Sequence, residues 1–152
     1  MGWIPLGEAA KLRYCCARGS ASTTNLPNGT TTKLPLNTWI TRSDSELYTF
    51  SNNGVKIAEA GKYLVAANIY FTGPTKACRE IYLLNETNKQ LHAAKYSATG
   101  AAPQGAVCLP MKTVTLSADT TLMLNGKQSF ASSAGTMYPS NAGTYLTIIK
   151  IA

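Results

Sequence analysis

From about Leu34 to the C-terminus, hydrophobic and polar positions alternate in short runs separated by turn residues. Such period-two patterning predicts β-strands. The runs are residues 34–41, 45–50, 55–58, 62–71, 78–85, 89–97, 105–116, 121–130 and 144–151. The breaks have turn chemistry: Asn52-Asn53-Gly54 suits positive φ, Gly73-Pro74 interrupts a strand, and Asn125-Gly126 marks a bend or hairpin. No 11-residue window carries a helical stripe in this region. Many short strands at such spacing predict an all-β sandwich or barrel.

Two of the runs are apolar on both faces. Over residues 62–71 one face reads Tyr63, Val65, Ala67, Ile69, Phe71 and the other Leu64, Ala66, Asn68, Tyr70. In the last strand one face reads Tyr145, Thr147, Ile149, Ile151 and the other Leu146, Ile148, Lys150. An antiparallel strand with one wet face alternates apolar with polar. Here the second face is covered by something other than water, either a loop or the N-terminal arm, or another subunit. A subunit interface is the preferred expectation.

Residues 1–33 differ in texture. The stretches Ser20-Ala21-Ser22-Thr23-Thr24 and Asn28-Gly29-Thr30-Thr31-Thr32 are polar and turn-rich around Pro27, and Lys11, Arg13, Arg18 and Lys33 outweigh Glu8. The pattern predicts an irregular arm, with short helical character around residues 8–13, followed by a domain over residues 34–152. Trp3, Ile4, Lys11, Arg13, Tyr14 and Arg18 of the arm are candidate attachment residues, because aromatic and basic side chains often dominate interfaces.

Composition narrows the function more than it defines it. A chain of 152 residues fits one domain that needs no disulfide or metal to fold. The net charge is +7, but its fourteen basic residues are spread from Lys11 to Lys150 without a block beside aromatics. No nucleic-acid surface is expected; the excess fits solubility or docking on an acidic partner. No apolar run approaches a membrane span, and Met1 to Leu6 lacks a basic, apolar leader, so a soluble, unprocessed chain made in a host cytoplasm is expected. The four cysteines (Cys15, Cys16, Cys78, Cys108) form no Cys-x-x-Cys pair and are expected to be reduced.

Catalytic chemistry is sparse. The single histidine, His92, lies in a strand and is expected to be an ordinary surface or interface side chain. Of seven scattered carboxylates, Asp44 and Glu46 alone have a spacing that resembles a calcium site or a glycosidase pair, and turn capping explains them equally well. There is no phosphate-cradling glycine loop, and no cofactor or metal is expected. The stretch of residues 131–142, small and polar, is expected to be an exposed loop where recognition could lie.

Three segments carry a family resemblance: Glu59-Ala60-Gly61-Lys62-Tyr63-Leu64-Val65, then Val114-Thr115-Leu116-Ser117-Ala118-Asp119-Thr120-Thr121-Leu122, then Gly143-Thr144-Tyr145-Leu146-Thr147-Ile148-Ile149-Lys150-Ile151. In order and spacing they resemble the tumour necrosis factor and complement globular-head superfamily. One departure is Ala118, where that family's turn has glycine. The resemblance implies an antiparallel jelly-roll sandwich that trimerises about an axis lined by inner-sheet strands. Carried over, the axis falls on Leu64, Ala66, Asn68, Tyr70, Tyr145, Thr147, Ile149 and Ile151, with Leu109 and Met111 as weaker candidates.

The chain looks most like the short versions of this fold in tailed-phage virions. The expected function is therefore a non-enzymatic structural protein: a homotrimeric decoration or cement protein on the capsid surface, attached by the arm to the major capsid protein or another virion protein. The alternative is a glycan-binding receptor tip of a tail fibre or baseplate, and a polysaccharide hydrolase is a third reading. A fold does not fix a function, so these remain expectations.

Overall fold

The computed structural model describes residues 11–74, 76–97 and 104–152. Among them there is no helix, and thirteen strands form two antiparallel sheets packed face to face. The strands are β1 (Arg13–Arg18), β2 (Thr24–Leu26), β3 (Thr32–Leu34), β4 (Thr38–Arg42), β5 (Tyr48–Ser51), β6 (Gly54–Ile57), β7 (Gly61–Thr72), β8 (Cys78–Asn85), β9 (Gln90–Ser97), β10 (Gln104–Leu116), β11 (Thr120–Ser129), β12 (Gly135–Met137) and β13 (Tyr145–Lys150). The seven-stranded sheet runs β2-β12-β7-β13-β1-β4, with β10 on the other side of β7. The six-stranded sheet runs β5-β6-β11-β8-β9, with β3 also paired to β11.

The core lies between the sheets and follows the alternation read from sequence. Tyr63, Val65, Ala67, Ile69 and Phe71 of β7 point inward with Leu146 and Ile148 of β13, against Ile81, Leu83, Leu122 and Leu124 of the facing sheet. Each such aliphatic side chain contributes roughly 1.5–3 kcal/mol by leaving water. Buried tyrosines find acceptors: Tyr48 Oη donates to the Arg13 carbonyl at 3.0 Å and Tyr63 Oη to the Glu59 carbonyl at 2.7 Å. At one edge Trp39 of β4 stacks on Phe50 of β5 with ring centroids 3.9 Å apart, joining the two sheets.

Four expectations need correction. The sheet begins at Arg13, not Leu34: β1 is inserted between β13 and β4, with Cys15 and Ala17 fully buried, so neither an irregular arm nor a helix extends past residue 12. The run 34–41 is two strands in different sheets, because the chain crosses the sandwich at Pro35 between β3 and β4. Asn125-Gly126 makes no turn but lies within β11, where a Cβ at Gly126 would press on Met137 Sδ and lie 3.1 Å from the Phe71 ring. Residues 131–142 include β12 and buried Gly135, Met137 and Pro139, so exposure is confined to the stretch 132–134 and Ala142.

One turn has the expected chemistry, and a second shows how the missing glycine is accommodated. Asn52 (φ 50°) and Asn53 (φ 60°) form the two-residue connection of β5 and β6. The glycine-less turn at Ala118 works because its positive φ falls on Asp119 (φ 62°).

Candidate functional site

The outward face of the seven-stranded sheet gathers most of the residues predicted for the axis. Register places Leu64 opposite Ile149, Ala66 opposite Thr147 and Asn68 opposite Tyr145. All six, with Tyr70, are half-buried in the single chain and point away from the core. On the far side of β13, Tyr14 and Cys16 of β1 lie opposite Ile149 and Thr147; on the far side of β7, Cys108 of β10 lies opposite Asn68. The result is one broad surface of tyrosines, aliphatics and small polar side chains.

This surface is pinned from within. Asn68 Nδ2 donates to Tyr145 Oη at 3.0 Å, and Thr147 Oγ1 donates to Cys16 Sγ at 3.4 Å. Tyr70 meets Tyr138 edge-on with centroids 5.8 Å apart and donates to Gln104 Oε1 at 3.1 Å. Asn68 Oδ1 is buried with no hydrogen-bond partner among the described residues. A buried carbonyl left unpaired is costly, so this point of the face lacks a donor.

Other predicted axis residues separate. Ile151 lies just past β13 and is 48 % exposed, and Met111 is exposed on β10. Leu109 points the other way, into the core, because it pairs with the inward residue Ala67. Cys16, Cys108 and Tyr138 belong to the face but carry no strong hydrophobic signal in sequence.

The proposed attachment residues also divide. Trp3 and Ile4 lie outside the described residues. Lys11 is exposed where β1 begins, whereas Arg13, Tyr14 and Arg18 are half-buried sheet residues. Arg13 binds Asp44 at 2.7 Å and grips Glu59 with both terminal nitrogens, and Lys150 also binds Glu59. These cations hold the Glu59 carboxyl down to about 2, mainly through the Arg13 hydrogen bond. Arg18 donates to the Ser140 carbonyl at 3.2 Å. Arg13, Lys150 and Arg18 thus tie the jelly roll together.

The candidates for chemistry have structural roles. Asp44 Oδ1 accepts from the Glu46 and Leu47 amides at 3.0 and 2.8 Å, capping a turn, and the Leu47 bond leads in lowering its pKa. His92 Nε2 lies 2.8 Å from the Pro110 carbonyl, joining β9 to β10. All four cysteines are free thiols, and burial pushes the Cys15 thiol up, away from reactivity. Among the described residues no three His, Cys, Asp or Glu side chains cluster as metal ligands. Nor is any helix there long and apolar enough to cross a membrane.

One cluster on the opposite surface is invisible in sequence. On β8 and β9, Tyr82 Oη donates to Glu80, whose carboxylate also meets Lys95 at 3.4 Å. Glu80 and Lys95 are brought together only by strand register.

No family model matches the chain, and no curated protein matches it. Solved structures do. Eiger TNF from S. frugiperda superposes with TM-score 0.68 at 14% identity, over 93% of this chain and 93% of that chain. Murine APRIL at pH 5.0 gives TM-score 0.72 at 14% identity, over 93% of this chain and 100% of that chain. Murine APRIL at pH 8.0 gives 0.70 over the same shares at 14% identity. At this identity the likeness shows the fold: the chain is an all-β sandwich of the tumour necrosis factor-like jelly-roll type.

Proposed function

We propose that the chain is a non-enzymatic jelly-roll module that works as a homotrimer, its copies packed on the outward face of the seven-stranded sheet. The observation that carries this is the run of half-buried Leu64, Ala66, Tyr70, Tyr145 and Ile149 on the side of the sheet away from the core. Contiguous apolar surface of that kind marks an interface, and closed symmetry is the usual way to hide it. The unpaired Asn68 Oδ1 in its middle gains a donor when a second copy arrives. Sedimentation of the purified chain at micromolar concentration is expected to give three times the chain mass; a monodisperse monomer refutes the reading.

We further propose that the trimer is a structural piece of a tailed-phage particle, a decoration or cement protein. What supports this is the small chain and the lack of assembled catalytic or metal chemistry among the described residues. The residues before β1 serve as attachment segments, three per trimer, so that modest contacts combine by multivalency. Deleting residues 1–10 leaves the sheet intact and is expected to give a soluble trimer that no longer binds capsids. A truncated protein that decorates shells normally overturns the attachment role.

A further inference from the structure

We propose that the outward face of the six-stranded sheet carries a saccharide-binding groove built on Tyr82. Its cross-strand neighbour on β9 is Ala93, and a methyl group leaves that flank of the ring uncovered. Two residues along a strand span roughly 6.6 Å, so the bond from Tyr82 Oη to Glu80 requires the ring to lie along the strand, as a platform. Two cavities meet at this ring. One, about 210 Å³, is bordered by Glu80, Gln90, Ala93 and Lys95; the other, about 280 Å³, by Asn88, Gln90 and Leu84. Tyr82 and Gln90 line both, so they form one shallow trough.

The chemistry of its walls selects the ligand class. A pyranose has an apolar C–H face and a rim of hydroxyls, each both donor and acceptor. The Tyr82 ring offers a surface for the first. For the second, the amides of Gln90 and Asn88 offer donors and acceptors at one end, while at the other Glu80 accepts and Lys95 donates. Tyr82 and then Lys95 hold the Glu80 carboxyl below the usual range, so it stays an acceptor. Glu80 is compensated by Lys95 at 3.4 Å and by Lys127 across the strand, so the trough favours a neutral sugar over a cationic ligand.

The trough opens on the opposite side of the sandwich from the assembly face, so the two readings fail separately. Nuclear magnetic resonance titration of the full chain with glucose, galactose, mannose, N-acetylglucosamine, N-acetylgalactosamine and their short oligomers tests the groove. At least one pyranose is expected to shift the Tyr82 ring resonances saturably. Tyr82→Ala and Gln90→Ala each weaken binding about tenfold, whereas Tyr82→Phe keeps the apolar ring but loses the bond that lays it along the strand, and weakens binding by less than Tyr82→Ala. Ala93→Phe fills the trough while leaving every polar wall in place, and abolishes binding with the fold intact by circular dichroism. No saturable shift with any of these sugars, or binding undiminished in Ala93→Phe, overturns the groove. Sedimentation of the same samples reads the trimer separately: a sugar-binding monomer refutes only the assembly reading.

Discussion

The two sheets present outward faces of opposite character. On the seven-stranded sheet the outward residues of β7, β13 and β1 include Tyr14, Cys16, Leu64, Ala66, Asn68, Tyr70 and Ile149, while the ion pairs of Arg13 and Lys150 lie on the inward side of β1 and β13, at the end of the core. On the six-stranded sheet the face carries Lys56 paired with Asp119, Lys95 with Glu80, and Lys127 opposite Glu80. Both faces lie on strands around one core, and burial of the inward sides alone does not account for the difference. On the functions proposed above, outward composition records what each face meets: other protein on one side, water and small polar molecules on the other.

The sharpest way to break this comparison is to charge the apolar face. Leu64→Arg puts one guanidinium per copy into a packed surface, and an uncompensated buried charge costs about 3–5 kcal/mol. The expected outcome is a folded monomer by sedimentation, with an unchanged circular dichroism spectrum. Lys127→Glu, an equally drastic change of charge on the other face, leaves the mass unchanged. If both variants keep the wild-type mass, the faces do not differ in the way described.

A second test contrasts the two sides of β7. Ile69 is fully buried in the core, so Ile69→Ala is expected to cost about 2–5 kcal/mol in chemical denaturation. Ala66→Ser, on the outward side of the same strand, adds one hydroxyl to a half-buried position and leaves the stability of the isolated chain within about 0.5 kcal/mol. Equal losses would mean that both faces are core.

Strand β7 shows how far the sequence carries such a contrast. Its two apolar faces are legible because strict period two separates Tyr63, Val65 and Ile69 from Leu64, Ala66 and Tyr70, and the structure turns the two sets to opposite sides. Strand β1 is not legible: its inward residues are Cys15 and Ala17, too small to raise a hydrophobic signal, and Arg13 and Arg18 at its ends resemble a basic arm. The crossing at Pro35 is hidden because Leu34 and Leu36 are both core residues on either side of it. Leu109 falls on the wrong face because register shifts between Leu109 and Lys112, and alternation cannot count through a bulge. The Glu80–Tyr82–Lys95 cluster is created by the β8–β9 register, which no local pattern encodes.

The ion pairs around Arg13, at the end of the core, yield a pH dependence. Glu59 is held from its usual 4.5 down to about 2, chiefly by Arg13, and the Leu47 amide leads in lowering Asp44. Carboxylates with depressed folded pKa values contribute stability that is fully present above their unfolded values and is lost as pH falls through the folded ones. The melting temperature is therefore expected to be flat above pH 4.5 and to decline from there towards pH 2. Glu59→Gln should lower it slightly at neutral pH and flatten the acid decline, a small effect because the group is solvent-screened. An unaltered acid slope would show that this network does not set it.

The smallest effect concerns the exception to the comparison. Phe130, at the end of β11 in the wet sheet, is 84 % exposed and held at φ 57°. The left-handed conformation costs an L-residue about 1–2 kcal/mol, whereas glycine adopts it freely. Glycine in turn loses about 0.5–1 kcal/mol more chain entropy on folding, and little burial is forfeited with so exposed a ring. The balance favours glycine, so Phe130→Gly is expected to stabilise by roughly 0.5 kcal/mol, a rise of about 1–2 °C in melting temperature. Phe130→Ala keeps the strained backbone and removes the ring, and should change little. If the alanine variant loses stability instead, the ring itself holds the turn, and this exposed aromatic is part of the fold rather than a departure from the sheet's polar character.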